Sequence, residues 1–498
     1  FSIVFSVILF GQRTVTGNIL DDEGIPLVGV NVLIKENPRV GTLTDLDGNY
    51  AIEVNEGQTL VYSYIGFRNE ERVVGSENSI DLVLEQDSEF IDEVVITGYS
   101  TIKRSDMVTA HTTLDAEDLN RTINPTVEQA LQGRAAGVQV TQNTGQPGGG
   151  ITVNVRGIST INGNTQPLYV VDGVQMQVEQ VEFGAQSASN PLSGLNPSDI
   201  ESMEVLTGPV ATSLYGSRAT NGVIVITTKS GKSGETRVNY DYTISQQTQP
   251  NYLDLMNLSE YAAYAKEYYE IEGGTLPGYF EDPSLLGEGT NWQKELFNNA
   301  LMQKHNLSLG GGNDAAKYYL SGEYFDQEGI ALGSGFARYS TLLKVDNKVN
   351  NWLNVSSKIN LSQTNTRLIT GQENVIATAL QMTPNIPVSN FDGTYSGGDV
   401  SDIGAQQFLP PNPIGLAEIT SNNQLRRRAL AGINANIKIL DGLNFITSVN
   451  GDIQSMEGTY FQPEYKFGFQ ERTTATLQER ANSSTYYNFQ QMLTYNKT

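Results

Sequence analysis

The sequence contains no cysteine, and its only histidines are His111 and His305. The lack of cysteine excludes a disulfide framework, thiol catalysis and thiolate metal sites. Two histidines leave little material for a histidine-based zinc site or a Ser-His-Asp triad. No apolar run reaches the length of about 18 residues that a membrane-spanning helix needs. The commonest arrangements for metal-dependent and nucleophilic catalysis therefore have no support.

Positive charge is also scarce. Lys and Arg number 31 against 55 for Asp and Glu, which gives a formal net charge of −24. Nucleic-acid phosphates would be repelled, so we expect no nucleic-acid partner. Charged residues make up only 17% of the 498 residues, whereas Gly, Asn, Thr, Ser and Tyr are plentiful. This composition is typical of many short strands with wet faces, in a chain long enough for two or three domains.

The longest apolar run, Phe1–Phe10, stands at the start of the sequence and is followed by Gly11 and Gln12. Its length matches the h-region of a signal peptide, although an initiator Met and a basic n-region are missing. We expect residues 1–11 to be the remnant of a signal peptide and the protein to be exported. A buried strand is the alternative interpretation.

Residues 14–85 are predicted to form a compact β module, because alternating strands such as Val30–Ile34 and Tyr50–Val54 are separated by turn signals. Asp45, Asp47 and Asn49 have the spacing of a calcium loop, but flanking helices and a Glu at the twelfth position are missing, which favours a simple hairpin turn. The segments 14–17, 26–32 and 44–50 resemble the carboxypeptidase-regulatory-like β-sandwich. No zinc ligands accompany them, so the resemblance implies no peptidase.

Residues 86–105 are predicted to be an extended linker that begins acidic and continues with the β-branched run Val94–Thr97. Such a run can pair with the sheet edge of a partner through main-chain hydrogen bonds, or it can be an edge strand of the neighbouring domain. Residues 92–99 resemble the TonB box of the SusC/RagA family of TonB-dependent outer-membrane receptors. The resemblance implies a TonB-interaction segment made of Glu93, Val94, Val95, Ile96, Thr97 and Gly98.

Residues 106–230 are predicted to form an α+β unit with a short helix near Val127–Leu131 and no catalytic chemistry. Gly148–Gly150 lacks the Gly-Lys-Ser/Thr ending of a phosphate loop, and neither Ser213 nor Ser217 lies in a nucleophile elbow. Asp172 is interpreted as a turn residue before a glycine. The predicted strands cover residues 138–140, 152–155, 168–171, 200–206 and 223–228.

The same unit resembles the plug domain of the SusC/RagA family across several consecutive motifs. They are the segments 131–138, 154–157, 167–174, 195–201 and 215–224. Their order along the chain is far more specific than any single motif. Together with the amino-terminal module, the resemblance covers nearly half of the sequence.

From residue 236 to residue 498 the sequence alternates between apolar and polar side chains, as in Val238–Ser245 and Ala431–Ile439. A membrane barrel requires this alternation because lipid lies on one side and water on the other, although a soluble sandwich can show it too. The connections alternate between long and short, as outer loops and periplasmic turns do. The predicted strands lie near residues 236–247, 303–311, 315–326, 338–347, 351–363, 427–440, 442–454 and 484–496.

Eight strands cannot enclose the plug. A plug of about 125 residues is about 35 Å across, whereas eight tilted strands enclose only about 16 Å and around 22 strands enclose about 44 Å. The expected fold is therefore mainly β: a carboxypeptidase-regulatory-like β-sandwich, an α+β plug, and the first eight or so strands of an antiparallel transmembrane β-barrel of around 22 strands. We expect the printed sequence to be part of a longer protein.

The resemblance implies active import of a glycan or peptide oligomer across the bacterial outer membrane, with the amino-terminal domain in the periplasm. It implies TonB, a SusD-like surface lipoprotein and outer-membrane lipid as partners, and no cofactor or metal. The alternatives are a passive surface receptor or adhesin, a signal-transducing receptor and, with no supporting residues, a secreted hydrolase.

Residues 291–297 and 305–314 also resemble SusC-type receptors, so His305 is expected to be a strand residue rather than a metal ligand. A helix is predicted at Asn257–Glu270 in the first outer loop. Aromatic residues of the loops can stack on sugar rings if they are exposed, or they can belt the membrane interface or pack the loops. These residues are Trp292, Tyr279, Tyr395 and Tyr460.

Overall fold

The computed structural model describes residues 13–21, 24–35, 37–64, 67–84, 94–97, 100–103, 111–116, 125–158, 165–176, 190–207, 215–369, 374–398 and 409–495. The predicted signal-peptide remnant, residues 1–11, lies outside them. The chain divides into two compact units, residues 1–95 with 101–108, and residues 96–100 with 109–498.

The first unit is a β-sandwich, as predicted. A three-stranded sheet in the order β4-β1-β7 and a four-stranded sheet in the order β3-β2-β5-β6 enclose a core that contains Ile19, Val32, Ile52 and Leu60. Alternate residues of β4 and β5 face this core, so the period-two pattern of these segments becomes the burial pattern. The strands are β1 (Arg13–Asp21), β2 (Asn31–Ile34), β3 (Asn37–Leu43), β4 (Asn49–Val54), β5 (Thr59–Ser63), β6 (Glu70–Val73) and β7 (Leu82–Leu84).

The predicted turn at residues 45–49 is present, but it is not a hairpin. The Asp45 carboxylate accepts hydrogen bonds from the backbone N–H groups of Asp47 and Asn49 at 3.0 and 2.8 Å. These bonds, led by the one from Asn49, lower the pKa of Asp45. The turn joins β3 to β4, which belong to opposite sheets. The hairpin prediction is wrong because sequence signals identify a turn without specifying the strands that flank it.

Two short strands, β8 (Val94–Thr97) and β9 (Ser100–Lys103), form a two-stranded sheet. The first of them carries four of the six residues predicted to contact TonB. The other two, Glu93 and Gly98, lie outside the described residues.

A mixed five-stranded sheet, in the order β10-β15-β16-β13-β14, forms the centre of the plug. The pairing of β13 with β16 is parallel, and the other pairings are antiparallel. A 3-10 helix at Glu128–Leu131 confirms the predicted short helix. The strands of the whole plug, in chain order, are β10 (His111–Asp115), β11 (Val138–Gln142), β12 (Ile151–Val155), β13 (Leu168–Val171), β14 (Val174–Gln175), β15 (Ile200–Leu206) and β16 (Val223–Thr228).

The carboxy-terminal half is an antiparallel eight-stranded sheet in the order β17-β18-β19-β20-β21-β22-β23-β26. All eight predicted strands are present. They are β17 (Gly234–Gln247), β18 (Ala300–Gly312), β19 (Ala316–Glu328), β20 (Gly335–Asn350), β21 (Leu353–Arg367), β22 (Ser421–Leu440), β23 (Leu443–Gln462) and β26 (Thr476–Tyr495).

The strands other than β17 extend further toward the long loops than predicted, and β22 begins at Ser421 rather than near residue 427. The outward side chains of this extension include Asn423 and Arg427, so the apolar alternation that marks the rest of the strand is lost there. The connection at residues 329–334 is short, although we expected a long one. The other predicted long connections are residues 248–299, 368–420 and 463–475, and all are longer than the turns at the opposite edge.

In the described parts of the long connections there are four α-helices, two 3-10 helices and a hairpin. Helix α1 (Leu258–Glu272) confirms the predicted helix and begins with a capping box between Asn257 and Glu260. Among the described residues, no helix combines the length and apolar character needed to cross a membrane. The other α-helices and the hairpin strands are α2 (Trp292–Leu296), α3 (Val375–Gln381), α4 (Pro413–Ile419), β24 (Tyr465–Phe467) and β25 (Gln470–Arg472).

Gly17 provides a test of the sandwich packing. A Cβ atom at this position would lie 1.9 Å from the backbone oxygen of Ile80, whereas one at Gly75 would meet no heavy atom within 4 Å. We expect Gly17→Ala to destabilise the sandwich by about 3 kcal/mol, because the neighbouring backbone must shift. Gly75→Ala should have little effect. The measurement is the rate of proteolysis within residues 13–84 of the purified protein, and equal rates for the two variants would contradict this packing.

Candidate functional site: the plug and the inner face of the sheet

The eight-stranded sheet has two chemically different faces. The inner face, which contacts the plug, carries polar and charged residues such as Asn306, Glu323 and Arg338. The outer face carries exposed apolar residues such as Leu307, Ile359 and Ile433. This division is the one that a strand between water and lipid requires.

Three arginines of the inner face hold one turn of the plug. Arg426 donates to the backbone oxygen of Asn190 at 2.8 Å, and Arg428 donates to that of Pro191 at 2.9 Å. Arg338 donates to the backbone oxygen of Ser193 at 3.1 Å. The register places Arg338 and Arg426 at one level, on either side of Thr364, with Arg428 one inward position further along β22. These three residues are named the arginine clamp.

Carboxylates orient two arginines of the clamp. Glu323 accepts two hydrogen bonds from Arg338, at 2.8 and 3.0 Å, and Asp452 accepts two from Arg428, the one from Nε at 2.8 Å. All four side chains are at least 95% buried. Bidentate pairing leaves the remaining N–H of each guanidinium directed at the plug. Removing one partner from such a buried pair costs about 3–5 kcal/mol, because the other charge stays buried.

Glu128 of the plug lies next to this clamp and is fully buried. Its Oε1 accepts a hydrogen bond from the backbone N–H of Leu192 at 3.3 Å. Burial raises the pKa of Glu128 to about 7, against the opposing effects of its hydrogen bonds and of the Arg338 charge. The Glu128 carboxyl can therefore exchange a proton near neutral pH without leaving the plug core.

A second contact joins the plug to β20. Lys344 donates to the Asp172 carboxylate at 2.9 Å and to the backbone oxygen of Thr228 at 2.6 Å. Asp172 also accepts from the backbone N–H and hydroxyl of Thr228. Its prediction as a turn residue is confirmed, because Asp172 and Gly173, both with positive φ, connect β13 to β14. The ion pair could not be predicted, since its partner is far away in sequence.

A third contact uses the turn before β15. Asn196 donates to the Asn306 side chain at 2.9 Å, Lys304 donates to the Ser198 hydroxyl at 3.1 Å, and Tyr319 donates to the Asp199 carboxylate at 2.9 Å. Burial raises the pKa of Asp199. Polar groups thus fix the plug to β18, β19, β20 and β22. The period-two pattern of the sequence shows only that these groups face inward.

The loop aromatics divide between buried and exposed positions. Trp292 is only 3% exposed and Tyr460 only 7%, so neither ring can stack on a sugar, and Tyr460 lies in β23 rather than in a loop. The indole N–H of Trp292 donates to the backbone oxygen of Thr383 at 3.0 Å. Helices α2, α3 and α4 pack around Trp292 with the β24–β25 hairpin, which confirms the alternative of loop packing. Tyr279 is exposed, and the hydroxyl of Tyr395 donates to Glu418.

His305 is a strand residue of β18, as predicted, and its Nδ1 lies 2.8 Å from the hydroxyl of Tyr240. It belongs to a row of rings on the outer face, named the aromatic row, that sequence reasoning did not identify. The ring centroids of Tyr242 and His305, of His305 and Tyr324, and of Tyr324 and Tyr339 lie 4.7, 6.1 and 5.1 Å apart. The sequence signal that could have identified the aromatic row is an aromatic residue at the corresponding outward position of each of four consecutive strands. Such rows mark the membrane–water interface.

Within the described ranges, no group of His, Asp and Glu residues has an arrangement suited to a metal ion.

Comparison with known proteins agrees with these features. A family model described as "TonB-dependent Receptor Plug Domain" matches residues 103–223, and one described as "CarboxypepD_reg-like domain" matches residues 15–96. TonB-dependent receptor SusC of Bacteroides thetaiotaomicron is 32% identical over 492 residues, which cover 94% of this chain and 47% of that protein. TonB-dependent receptor P3 of Formosa agariphila is 34% identical over 499 residues, which cover 98% and 46%.

The chain belongs to the TonB-dependent receptors. The predicted SusC/RagA type is confirmed by SusC itself and by the solved structure of the RagAB peptide importer in its open-open state. That structure matches 81% of this receptor chain and 47% of its own chain, with a TM-score of 0.68 and 25% identity. The receptor chain spans a little under half of the length of these relatives.

Two neighbouring arginines of the receptor test the clamp. Arg428 is buried against Asp452 and the plug, whereas Arg427 is about half exposed on the outer face and pairs with Glu457. We expect Arg428→Met to lower the free energy of unfolding by about 3–5 kcal/mol. Arg427→Met should change it by less than about 1 kcal/mol. Thermal unfolding of the detergent-solubilised receptor measures both, and equal midpoints for the two variants would show that the buried Arg428 does not stabilise the fold.

The raised pKa of Glu128 makes the stability of the receptor depend on pH. The folded state keeps the proton up to about pH 7, whereas the unfolded chain loses it near pH 4.5. The contribution to stability is therefore complete below pH 4.5 and declines as the pH rises through 7, by about 3 kcal/mol in total. Unfolding midpoints at pH 5 and pH 8 should differ less for Glu128→Gln than for the natural receptor. The exposed Glu457→Gln should behave like the natural receptor, and an unchanged pH dependence in Glu128→Gln would refute the assignment.

Proposed function

We propose that this receptor imports a nutrient oligomer across the bacterial outer membrane, driven by TonB. The observation that carries the proposal is the plug fixed to the inner face of the sheet by the arginine clamp and by the contacts of Lys344 and Lys304. A plug in this position obstructs passage along the inner face. Transport therefore requires the plug to move or to change shape.

The strength of the plug contacts indicates why external work is needed. Release of the plug removes the main-chain acceptors of Arg338, Arg426 and Arg428, and a hydrogen bond from a charged group contributes about 1.5–3 kcal/mol. Spontaneous release of the plug would then be rare. A pull that acts along the main chain can break these contacts one after another, because the clamp holds backbone oxygens of one turn.

The pull is proposed to act at β8. A short β-branched strand can pair with an extended segment of a partner, and main-chain hydrogen bonds then transmit the force. The work comes from the proton gradient of the inner membrane through the TonB complex, and no covalent chemistry or cofactor takes part. The proposed TonB-interaction residues are Glu93, Val94, Val95, Ile96, Thr97 and Gly98.

Cargo and partners follow from the relatives. The RagAB structure is that of a peptide importer, and we propose a peptide or glycan oligomer as the cargo here. A SusD-like surface lipoprotein is the proposed outer partner, and outer-membrane lipid surrounds the apolar face of the sheet. The proposed domains are the sandwich (14–85) in the periplasm, the linker with the TonB box (86–105), the plug (106–230) and the barrel strands from residue 236.

The pulling mechanism is tested in the full-length protein by replacing Val94–Thr97 with Gly-Ser repeats. We expect uptake to fall at least tenfold while cargo still binds to the cell surface, because the outer loops are unchanged. The matched control replaces residues 86–89 of the same linker with Gly-Ser and should leave uptake intact. Uptake of labelled oligomer and binding at 4 °C are measured on the same cells.

The same experiment distinguishes a passive receptor. A receptor that binds without importing would show the same cell-associated label whether or not the proton gradient is dissipated. It would also be insensitive to the replacement of Val94–Thr97. Undiminished uptake in that variant would reject TonB-driven import.

A further inference from the structure

The end of the plug nearest the long loops is a glycine-rich loop, residues 143–150, which joins β11 to β12 and is named the plug loop. Its ends are connected by a hydrogen bond from the backbone N–H of Asn143 to the backbone oxygen of Gly150 at 3.1 Å. Within the loop, the backbone N–H of Gly149 donates to the backbone oxygen of Gln146 at 3.0 Å. The plug loop therefore has a defined shape, and a displacement of the β11–β12 hairpin displaces all of it.

Gly148 of the plug loop packs directly on Phe336, an inward residue of β20. A Cβ atom at Gly148 would lie 2.1 Å from Cδ2 of the Phe336 ring, which is closer than a side chain can approach. Gly148 also has a φ of +67°, a conformation that favours glycine. The ring has little room to retreat, because Phe336 is only 2% exposed and packs with Met302 and Phe325. The absence of a side chain at Gly148 therefore allows the plug to fit against the sheet.

Two further contacts hold the plug loop beside Phe336. A Cβ atom at Gly329, in the turn between β19 and β20, would lie 3.2 Å from Cγ of Pro147. The side-chain amide of Gln146 donates to the backbone oxygen of Arg367, the last residue of β21, at 3.3 Å. The plug loop contains no charged residue. Packing and a hydrogen bond between neutral groups therefore attach it to the sheet, whereas the arginine clamp uses charged groups.

The turn at residues 329–334 is itself built into the outer loops. The backbone N–H of Leu332 donates to the backbone oxygen of Leu296 in α2 at 3.0 Å, and the Leu332 side chain packs against the apolar cluster that α2, α3 and α4 form. A Cβ atom at Gly333 would lie 3.0 Å from the backbone oxygen of Ala417 in α4. Because the turn is short and contacts both helices, a displacement of α2 or α4 also displaces the turn.

We propose that the turn at residues 329–334 relays the position of the outer loops to the plug loop, which must separate from Phe336 before the plug can be displaced. Cargo that moves α2 or α4 shifts the turn, and a gap of about 0.5–1 Å already removes about a quarter to a half of a packing attraction. The rate of plug release depends exponentially on the sum of its attachments, so the loss of this weaker one accelerates release when TonB pulls. An empty receptor stays closed. The inference rests on the proposed function.

The separation is tested in the full-length receptor with Gly148→Cys and Phe336→Cys combined. A Cβ atom at Gly148 would lie 2.7 Å from Cγ of Phe336, which is bonded to the Cβ of that residue, so one disulfide can span the pair. Uptake of fluorescent peptide and oligosaccharide mixtures should fall at least tenfold on oxidation and return on reduction. The control disulfide, Thr141→Cys with Thr152→Cys, joins paired residues within the plug and should leave uptake unchanged. Equal uptake by the oxidised and reduced Gly148–Phe336 pair, or a block by both disulfides, would overturn the inference.

The relay is tested without cargo by the sensitivity of cells to vancomycin, an antibiotic too large for porins. Phe336→Ala removes the ring contact and Leu332→Asp detaches the turn from the outer loops, so each should raise the sensitivity at least fourfold. Tyr339→Ala, on the exposed outer face of the same strand, is the control and should behave like the natural receptor. Replacing Val94–Thr97 with Gly-Ser should abolish the added sensitivity, because a merely destabilised plug would leak without the pull. Natural sensitivity in either variant, or leakage that persists after this replacement, would overturn the relay.

The two sets of variants separate this inference from the proposed function. Uptake that requires Val94–Thr97 but survives the Gly148–Phe336 disulfide overturns the inference and leaves TonB-driven import standing. Uptake that is insensitive to both changes rejects TonB-driven import and the inference together.

Discussion

The structure of the second unit depends on arginine side chains that are buried between the sheet and the plug. A guanidinium in such a place is unfavourable unless its N–H groups have acceptors, and Arg338 and Arg428 each divide their donors between a carboxylate of the sheet and main-chain oxygen of the plug. The two parts are therefore mutually dependent. Without the plug the arginines would lose acceptors, and without the arginines the carbonyl groups of Pro191 and Ser193 would lose these donors.

The outer face of the same sheet has the opposite chemistry to the inner face. There many side chains are apolar, the aromatic row marks an interface, and Gln363 and Arg427 continue the level of that row on β21 and β22. Arg427 and Arg428 are neighbours in sequence, yet Arg428 is buried against the plug and Arg427 is about half exposed on the outer face. The two-residue period of a strand alone produces this difference.

The period of the strands explains what the sequence could predict. The eight strands of the sheet, the sandwich strands β2, β4, β5 and β7 and helix α1 follow from alternation, turn residues and a capping box, which are local signals. The strand β10 at His111–Asp115 was not predicted, because its single apolar residue, Leu114, gives no alternation. The hairpin at residues 45–49 was wrong for a related reason, since turn residues do not reveal whether a chain returns to the same sheet.

The contacts between plug and sheet were beyond sequence reasoning, because their partners are separated by more than a hundred residues and meet only once the fold exists. Trp292 illustrates a further limit, because an isolated aromatic residue in a loop does not reveal whether its side chain is exposed or buried. One consequence concerns how the plug can change during evolution. The clamp donates to carbonyl oxygens, which every amino acid possesses. Most side chains of the turn can therefore change during evolution while these hydrogen bonds are kept.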